Sequence, residues 1–168
     1  MPAIASLNSK FNPRYRVDMA EDEVIDLLRE AYNDEIETVM NYLTNSVVLE
    51  GVSAEEVKES LRTDAKQEEL QHAERIGDRL KELGSRPPAS FDFEAKQDAL
   101  QPPDDPGDIL TVIDGVIEYE NDAIDTYRSL IKAAQDADDP VTEDLAIEIL
   151  GEEESHRSEF KSFRREYE

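Results

Sequence analysis

Apolar residues recur at helical spacing along most of the chain. Leu28, Ala31, Val39 and Tyr42 share one face of a first stretch, and Leu61, Ala65, Ile76, Leu80 and Leu83 one face of a second. Ile113, Val116, Ala123 and Tyr127 do the same in a third, and Leu145, Ile149, Phe160 and Phe163 in a fourth. Steps of three and four residues place such side chains on one stripe of an α-helix, so the pattern predicts an all-α protein of four long helices. The first should open near Glu21, where Glu21, Asp22 and Glu23 suit the positive end of a helix dipole, and close near Leu49 ahead of Gly51. A capping box of Ser53 and Glu56 predicts the start of the second, which ends at Leu83 and Gly84 before Pro87 and Pro88. The third runs from about Asp108 to Ala137. The turn Asp138-Asp139-Pro140 then leads into the fourth, up to about Glu166.

The connections set the architecture. Residues 1–20 read as an extended N-terminal arm, and residues 21–168 as a single bundle domain. The link from Ser85 to Gly107 holds five of the eight prolines and is too long for a hairpin, but it can run the length of a bundle. The expected fold is therefore a four-helix bundle made of two antiparallel hairpins joined by a long crossover, with Phe91, Phe93 and Leu100 as anchors of the link.

Each apolar stripe is interrupted by an acid: Glu35, Glu69, Glu120 and Glu153. The chain has only two histidines, and each follows one of these acids by three residues, as Glu69/His72 and Glu153/His156. At that spacing a carboxylate and an imidazole leave the same helix face and can reach one metal centre. The intervals from Glu35 to Glu69 and from Glu120 to Glu153 differ by a single residue, so one helical hairpin is used twice. Burying four carboxylates without a counter-ion costs several kcal/mol each or forces them neutral. A pair of metal ions removes that cost, and two carboxylates with two Glu-x-x-His pairs is the ligand arrangement of di-iron and di-manganese bundles. Tyr42 and Tyr127 each follow the first acid of their hairpin by seven residues. They could donate a hydrogen bond or an electron, or serve as core tyrosines that satisfy a buried carboxylate. Glu68 and Glu152, directly before Glu69 and Glu153, could orient an imidazole or simply face water.

Composition narrows the chemistry. The absence of cysteine excludes thiolate metal sites and disulfides, leaving carboxylates and imidazoles as donors. A net charge of -24 argues against nucleic acid as a partner, and no apolar run has membrane-spanning length, so a soluble cytoplasmic protein is expected. Self-repulsion of that size is relieved by salt, which points to a high-salt cytoplasm.

Glu35, Glu69-x-x-His72, Glu120 and Glu153-x-x-His156, in that order and with Tyr42 after the first, resemble the ferritin-like di-iron carboxylate superfamily over about residues 21 to 166. The bacterioferritin and rubrerythrin branch is the most similar. The resemblance implies two Fe ions, with Mn as an alternative. Glu69 and Glu153 would bridge them, Glu35 and Glu120 would be terminal ligands, and His72 and His156 would bind one ion each. Leu70 stands where bacterioferritins carry a haem-ligand methionine, so no haem is expected. Ala123 stands where rubrerythrins carry an extra glutamate, and no cysteine-rich domain is present. The chain leaves no room for a fifth helix, which favours a homodimer or small homo-oligomer over a large cage. The implied activity is a ferroxidase that oxidises Fe(II) with O2 or H2O2. A di-iron or di-manganese peroxidase, catalase or oxidase, and a non-catalytic metal-binding bundle, are the alternatives.

Overall fold

The computed structural model describes the backbone of residues 13–167 and the side chains of residues 19–167; the rest of the expected arm lies outside these. Among the described residues the regular secondary structure is all helical, with no strand. Helix α1 spans Pro13–Val48, α2 Glu55–Thr63, α3 Leu70–Glu82, α4 Ile109–Asp136 and α5 Pro140–Tyr167. A π-helical segment, Asp64–Glu69, joins α2 to α3, so the three pieces form one rod. This rod and α1 make the first antiparallel hairpin, α4 and α5 make the second, and the crossover links them.

Two local expectations are corrected. Helix α1 begins at Pro13 and not near Glu21, so part of the expected arm is helical. Ala20 and Val24, 8% and 2% exposed, carry the stripe of Leu28 and Ala31 backwards, so burial extends the helix past the acids. The Ser53/Glu56 capping box does not form. Residues Val52–Ala54 turn as a 3-10 helix instead, α2 starts at Glu55, and no side chain caps it.

The other ends follow the sequence. Gly84 takes φ 77°, and Ser85 N donates to Leu80 O at 2.8 Å, which closes the last turn of α3 in the manner glycine permits. Asp108 caps α4, its carboxylate accepting from Thr111 N at 3.1 Å. Asp139 caps α5 through Thr142 N at 3.0 Å, with Pro140 in the first turn.

The crossover is held by polar groups more than by apolar ones. Leu100 is buried as expected, but Phe91 is fully exposed and Phe93 only half-buried. Asn33, Glu37, Asn41 and Asn45, four residues apart on α1, take over the anchoring. Asn33 pairs with both backbone groups of Glu94, at 2.8 and 3.0 Å. The buried Glu37 carboxylate accepts from the backbone N–H of Lys96 and of Gln97, each at 2.9 Å. Asn41 donates to Gln97 Oε1 at 3.1 Å, and Asn45 to Leu100 O at 2.8 Å. An extended segment has no internal partners for its backbone, and this ladder supplies them. Opposite it, Gly115 of α4 lets the link approach so closely that an added Cβ would lie 2.1 Å from Ala99 O.

Candidate metal centre

All six acids and imidazoles singled out in the sequence meet in the middle of the bundle, and all six are buried. Glu35 comes from α1, Glu69 from the end of the π segment, His72 from α3, Glu120 from α4, and Glu153 and His156 from α5. His72 Nδ1 lies 3.7 Å from Glu35 Oε2, 3.5 Å from Glu69 Oε2 and 3.1 Å from Glu153 Oε1. His156 Nδ1 lies 3.8 Å from Glu120 Oε1, 3.4 Å from Glu69 Oε1 and 3.3 Å from Glu153 Oε2. Glu69 and Glu153 thus turn one oxygen toward each imidazole, whereas Glu35 and Glu120 each serve one side.

The surroundings repeat this two-fold pattern, with each contact crossing between hairpins. His72 Nε2 is 2.6 Å from Glu152 Oε2, and His156 Nε2 is 2.7 Å from Glu68 Oε2. Tyr42 of α1 donates to Glu120 Oε1 at 2.6 Å, and Tyr127 of α4 donates to Glu35 Oε1. Both tyrosines and both flanking glutamates therefore contact the cluster, on the hairpin opposite the one a reading by position alone would pair them with.

Charge in this space is unbalanced. Burial pushes the Glu35 and Glu120 carboxyls well up, and the neighbouring charges of Glu153 and Glu69 push them further. Burial would raise Glu69 as well, but hydrogen bonds from His156 and His72 outweigh it and hold that group below the carboxylate range. Burial lowers both imidazoles, and the carboxylates around them more than reverse this, leaving His72 and His156 strongly raised.

Six atoms at the centre are buried without a hydrogen-bond partner: Glu35 Oε2, both Glu69 oxygens, Glu120 Oε2, Glu153 Oε1 and His72 Nδ1. Buried polar atoms are normally paired, and a convergent set of unpaired oxygen and nitrogen atoms fits a ligand with empty orbitals. Two groups of four have one ligand atom from each residue within 4.8 Å of the others: Glu35, Glu69, His72 and Glu153, and Glu69, Glu120, Glu153 and His156. Glu69 and Glu153 belong to both.

Two residues near the centre escape the sequence pattern. Tyr119 is buried, and its hydroxyl is pushed well up by burial and then by the charges of Glu35, Glu69 and Glu153. Asp64 is buried in the π segment, where burial is the main cause raising its carboxyl to about 7. Each precedes a stripe residue by one position, Glu120 and Ala65, so an even helical period assigns it to another face. Leu70, in the expected haem-methionine position, is 41% exposed. Among the described residues no helix is long and apolar enough to cross a membrane.

Four helical rods closing on four buried carboxylates and two imidazoles define the class: a bundle whose core is built to take metal. The chain belongs to the ferritin-like domain family, whose model matches residues 25–168. It is 23% identical over 140 residues to a bacterioferritin of Desulfovibrio desulfuricans, covering 83% of this chain and 73% of that one. The crystal structure of a bacterioferritin from that organism, described with its diiron site in different catalytic states, superposes with a TM-score of 0.76 at 23% identity. It covers 89% of this chain and 82% of its own. The dodecameric thioferritin of Bacteroides fragilis, a bacterioferritin-related protein, gives 0.76 at 24%, over 90% of this chain and 92% of its own. Dps from Thermosynechococcus elongatus gives 0.77 at 16%, over 88% and 93%.

Proposed function

We propose that this protein is a ferroxidase, binding two Fe(II) ions as substrate in the six-residue centre and delivering their electrons to O2 or H2O2. The convergence of unpaired buried atoms from Glu35, Glu69, His72, Glu120 and Glu153 carries this reading. Glu69 and Glu153 would hold both ions, Glu35 and His72 one of them, and Glu120 and His156 the other. Four carboxylates offset the charge of two divalent ions, and oxygen donors favour the harder ferric state. Two Fe(II) giving one electron each, with two protons, reduce O2 to H2O2, or H2O2 to two waters.

The chain's own groups do the positioning. Tyr42 and Tyr127 each occupy one oxygen of a terminal carboxylate and leave the other, Glu120 Oε2 or Glu35 Oε2, buried without a hydrogen-bond partner. Glu152 and Glu68 each take the Nε2–H of an imidazole, which sets the tautomer with Nδ1 free for a cation. The two tyrosines are buried with the centre, whereas Glu152 and Glu68 hold the imidazoles from its rim, with side chains 45% and 40% exposed.

The reading includes a cytoplasmic site of action, where a reducing environment supplies Fe(II), and no bound haem, because exposed Leu70 offers no thioether. It includes a small homo-oligomer as well. Met40 and Val47 are large apolar residues exposed on the outward side of α1, and the half-buried Ile36 lies one turn before Met40. Sedimentation velocity tests this point, and a monomer at micromolar concentration removes it. The activity itself is tested by adding Fe(II) to anaerobic apo-protein and then admitting O2. Ferric absorbance should grow much faster than in buffer, with matching oxygen uptake, and Glu69→Ala should abolish the difference. Wild-type oxidation at the buffer rate overturns the proposal.

A further inference from the structure

An apolar cleft of about 330 Å3 lies on the outward side of α1, where the crossover runs past it. Tyr32, Ile36 and Met40 line one wall, and Pro88, Ala89 and Phe93 the other. Met40 is half exposed, and Phe91 of the same crossover segment lies fully in water. Large apolar side chains gathered at a surface mark a place where something docks. On the crossover flank, Asp92 and Glu94 are exposed and, among the described residues, pair with no cation. Lys96 and Arg29, which share that flank, are taken up by Glu30 and Asp34 and by the Arg86 carbonyl.

The distribution of charge along the chain names an occupant. None of the 42 acids falls in residues 1–17, which hold three of the 18 bases, Lys10, Arg14 and Arg16. The same stretch carries Ile4, Leu7 and Phe11, so it joins apolar bulk to positive charge on a chain of net charge -24. Leu7, Lys10 and Phe11 cannot reach the cleft of their own molecule. From Pro13 to Tyr32, the first cleft residue on α1, the helix rises by about 28 Å. The six residues from Leu7 to Pro13 span at most about 22 Å when fully extended, so Leu7 falls short, and Lys10 and Phe11 fall shorter. A second copy has no such limit, and an exchange of arms between two copies closes on itself as a two-fold dimer.

We propose that residues 1–12 of one copy bind in the cleft between α1 and the crossover of a second copy, with Leu7 and Phe11 against Ile36, Met40 and Phe93, and Lys10 toward Asp92 and Glu94. This rests on the small-oligomer reading and names the segment that joins the copies. Apolar contact supplies the affinity, and the cationic arm lets two strongly acidic bodies approach.

The chain has no cysteine, so introduced thiols report the contact without background. The full chain carrying Ser9→Cys with Ser90→Cys, the second on the cleft's crossover wall, is oxidised mildly and run on a non-reducing gel. Chains should link in pairs, and far less so when Ser155→Cys, exposed on α5, replaces Ser90→Cys. Equal linkage of the two, or a disulfide closed within one chain, overturns the proposal. Sedimentation velocity supplies the second measurement. Leu7→Asp with Phe11→Asp, both ahead of the first helix, should weaken self-association by roughly tenfold or more, the scale of losing two buried apolar anchors. An oligomer that survives this change intact removes the arm contact and leaves the small-oligomer reading standing, whereas a wild-type monomer removes both.

Discussion

Glu152 and His72 belong to different hairpins, and the 2.6 Å contact from Glu152 Oε2 to His72 Nε2 is what fixes the imidazole with Nδ1 toward the centre. Arg75, itself paired with Glu148, lies 3.7 Å from the same Glu152 oxygen and steadies it. Glu152→Gln keeps the shape and removes the charge that makes the imidazole a strong donor. Metal affinity should fall roughly 10- to 100-fold, the usual effect of losing such a partner. Competition of Zn(II) against a chromophoric chelator measures it, and an unchanged affinity would show the contact to be incidental.

Tyr42→Phe leaves Glu120 Oε1 without its donor in a buried site. The apo-protein should lose about 1–3 kcal/mol, the cost of an unsatisfied buried group. Urea denaturation gives the value. The expected slowing of Fe(II) oxidation is modest, since the tyrosine orients a ligand and leaves the ligand set intact.

Gly115→Ala sets two effects against each other. Alanine gains about 1 kcal/mol of helix propensity over glycine. Its Cβ would lie 2.1 Å from Ala99 O, a backbone atom between the Gln97 N–H held by Glu37 and the Leu100 carbonyl held by Asn45. Overpacking against backbone costs about 1–3 kcal/mol or more, so the clash should win. A lower melting temperature and faster amide exchange across residues 94–100 are expected, and a rise in melting temperature would contradict the packing described.

Asp139 ties α3 to α5. Its Oδ1 accepts from Thr142 N at 3.0 Å and from Arg79 Nη2 at 2.8 Å, and Oδ2 accepts from Thr142 Oγ1 at 2.5 Å. Partial burial raises its carboxyl, but these donors outweigh burial and hold it below its ordinary value. A group depressed in the folded state stabilises above its unfolded pKa, about 3.9, and loses that contribution as pH falls through the folded value. Asp139→Asn should therefore destabilise at neutral pH by about 0.5–2 kcal/mol, as for a weakened helix cap, and the deficit should shrink toward pH 3. Denaturation at pH 7 and pH 3 checks the sign.

The chain's charge of -24 should make folding salt-dependent. The Debye length falls from roughly 10 Å at 0.1 M to roughly 3 Å at 1 M, which removes most surface repulsion. The melting temperature should climb steadily as KCl is raised to molar concentration. A flat profile would remove the high-salt reading of the composition.

The four helical stripes, the crossover and all six centre residues were legible in the sequence, because core faces repeat with the helix period and an acid on such a face stands out. The arm boundary was not, since Ala20 and Val24 reveal their burial only against neighbouring rods. The Ser53/Glu56 box has the right spacing, but the chain turns there as a 3-10 helix and starts α2 two residues later. The anchors of the crossover were missed for a related reason. Asn33, Glu37, Asn41 and Asn45 look like a solvated face until an extended segment with unpaired backbone groups is laid along them.

By itself the sequence determined which side chains point inward, because that follows from local periodicity and from the cost of hiding charge. Only the tertiary structure decided which partner each one finds. Tyr42 reaches Glu120 and Tyr127 reaches Glu35, Glu68 holds His156 and Glu152 holds His72, all across the gap between hairpins. Such pairings depend on the relative height and rotation of whole helices, quantities that no spacing along one strand of chain contains. The π turn adds a local case. Asp64 lies under cover there beside Ala65, in a segment whose packing partner is α1, which no spacing along the chain reveals.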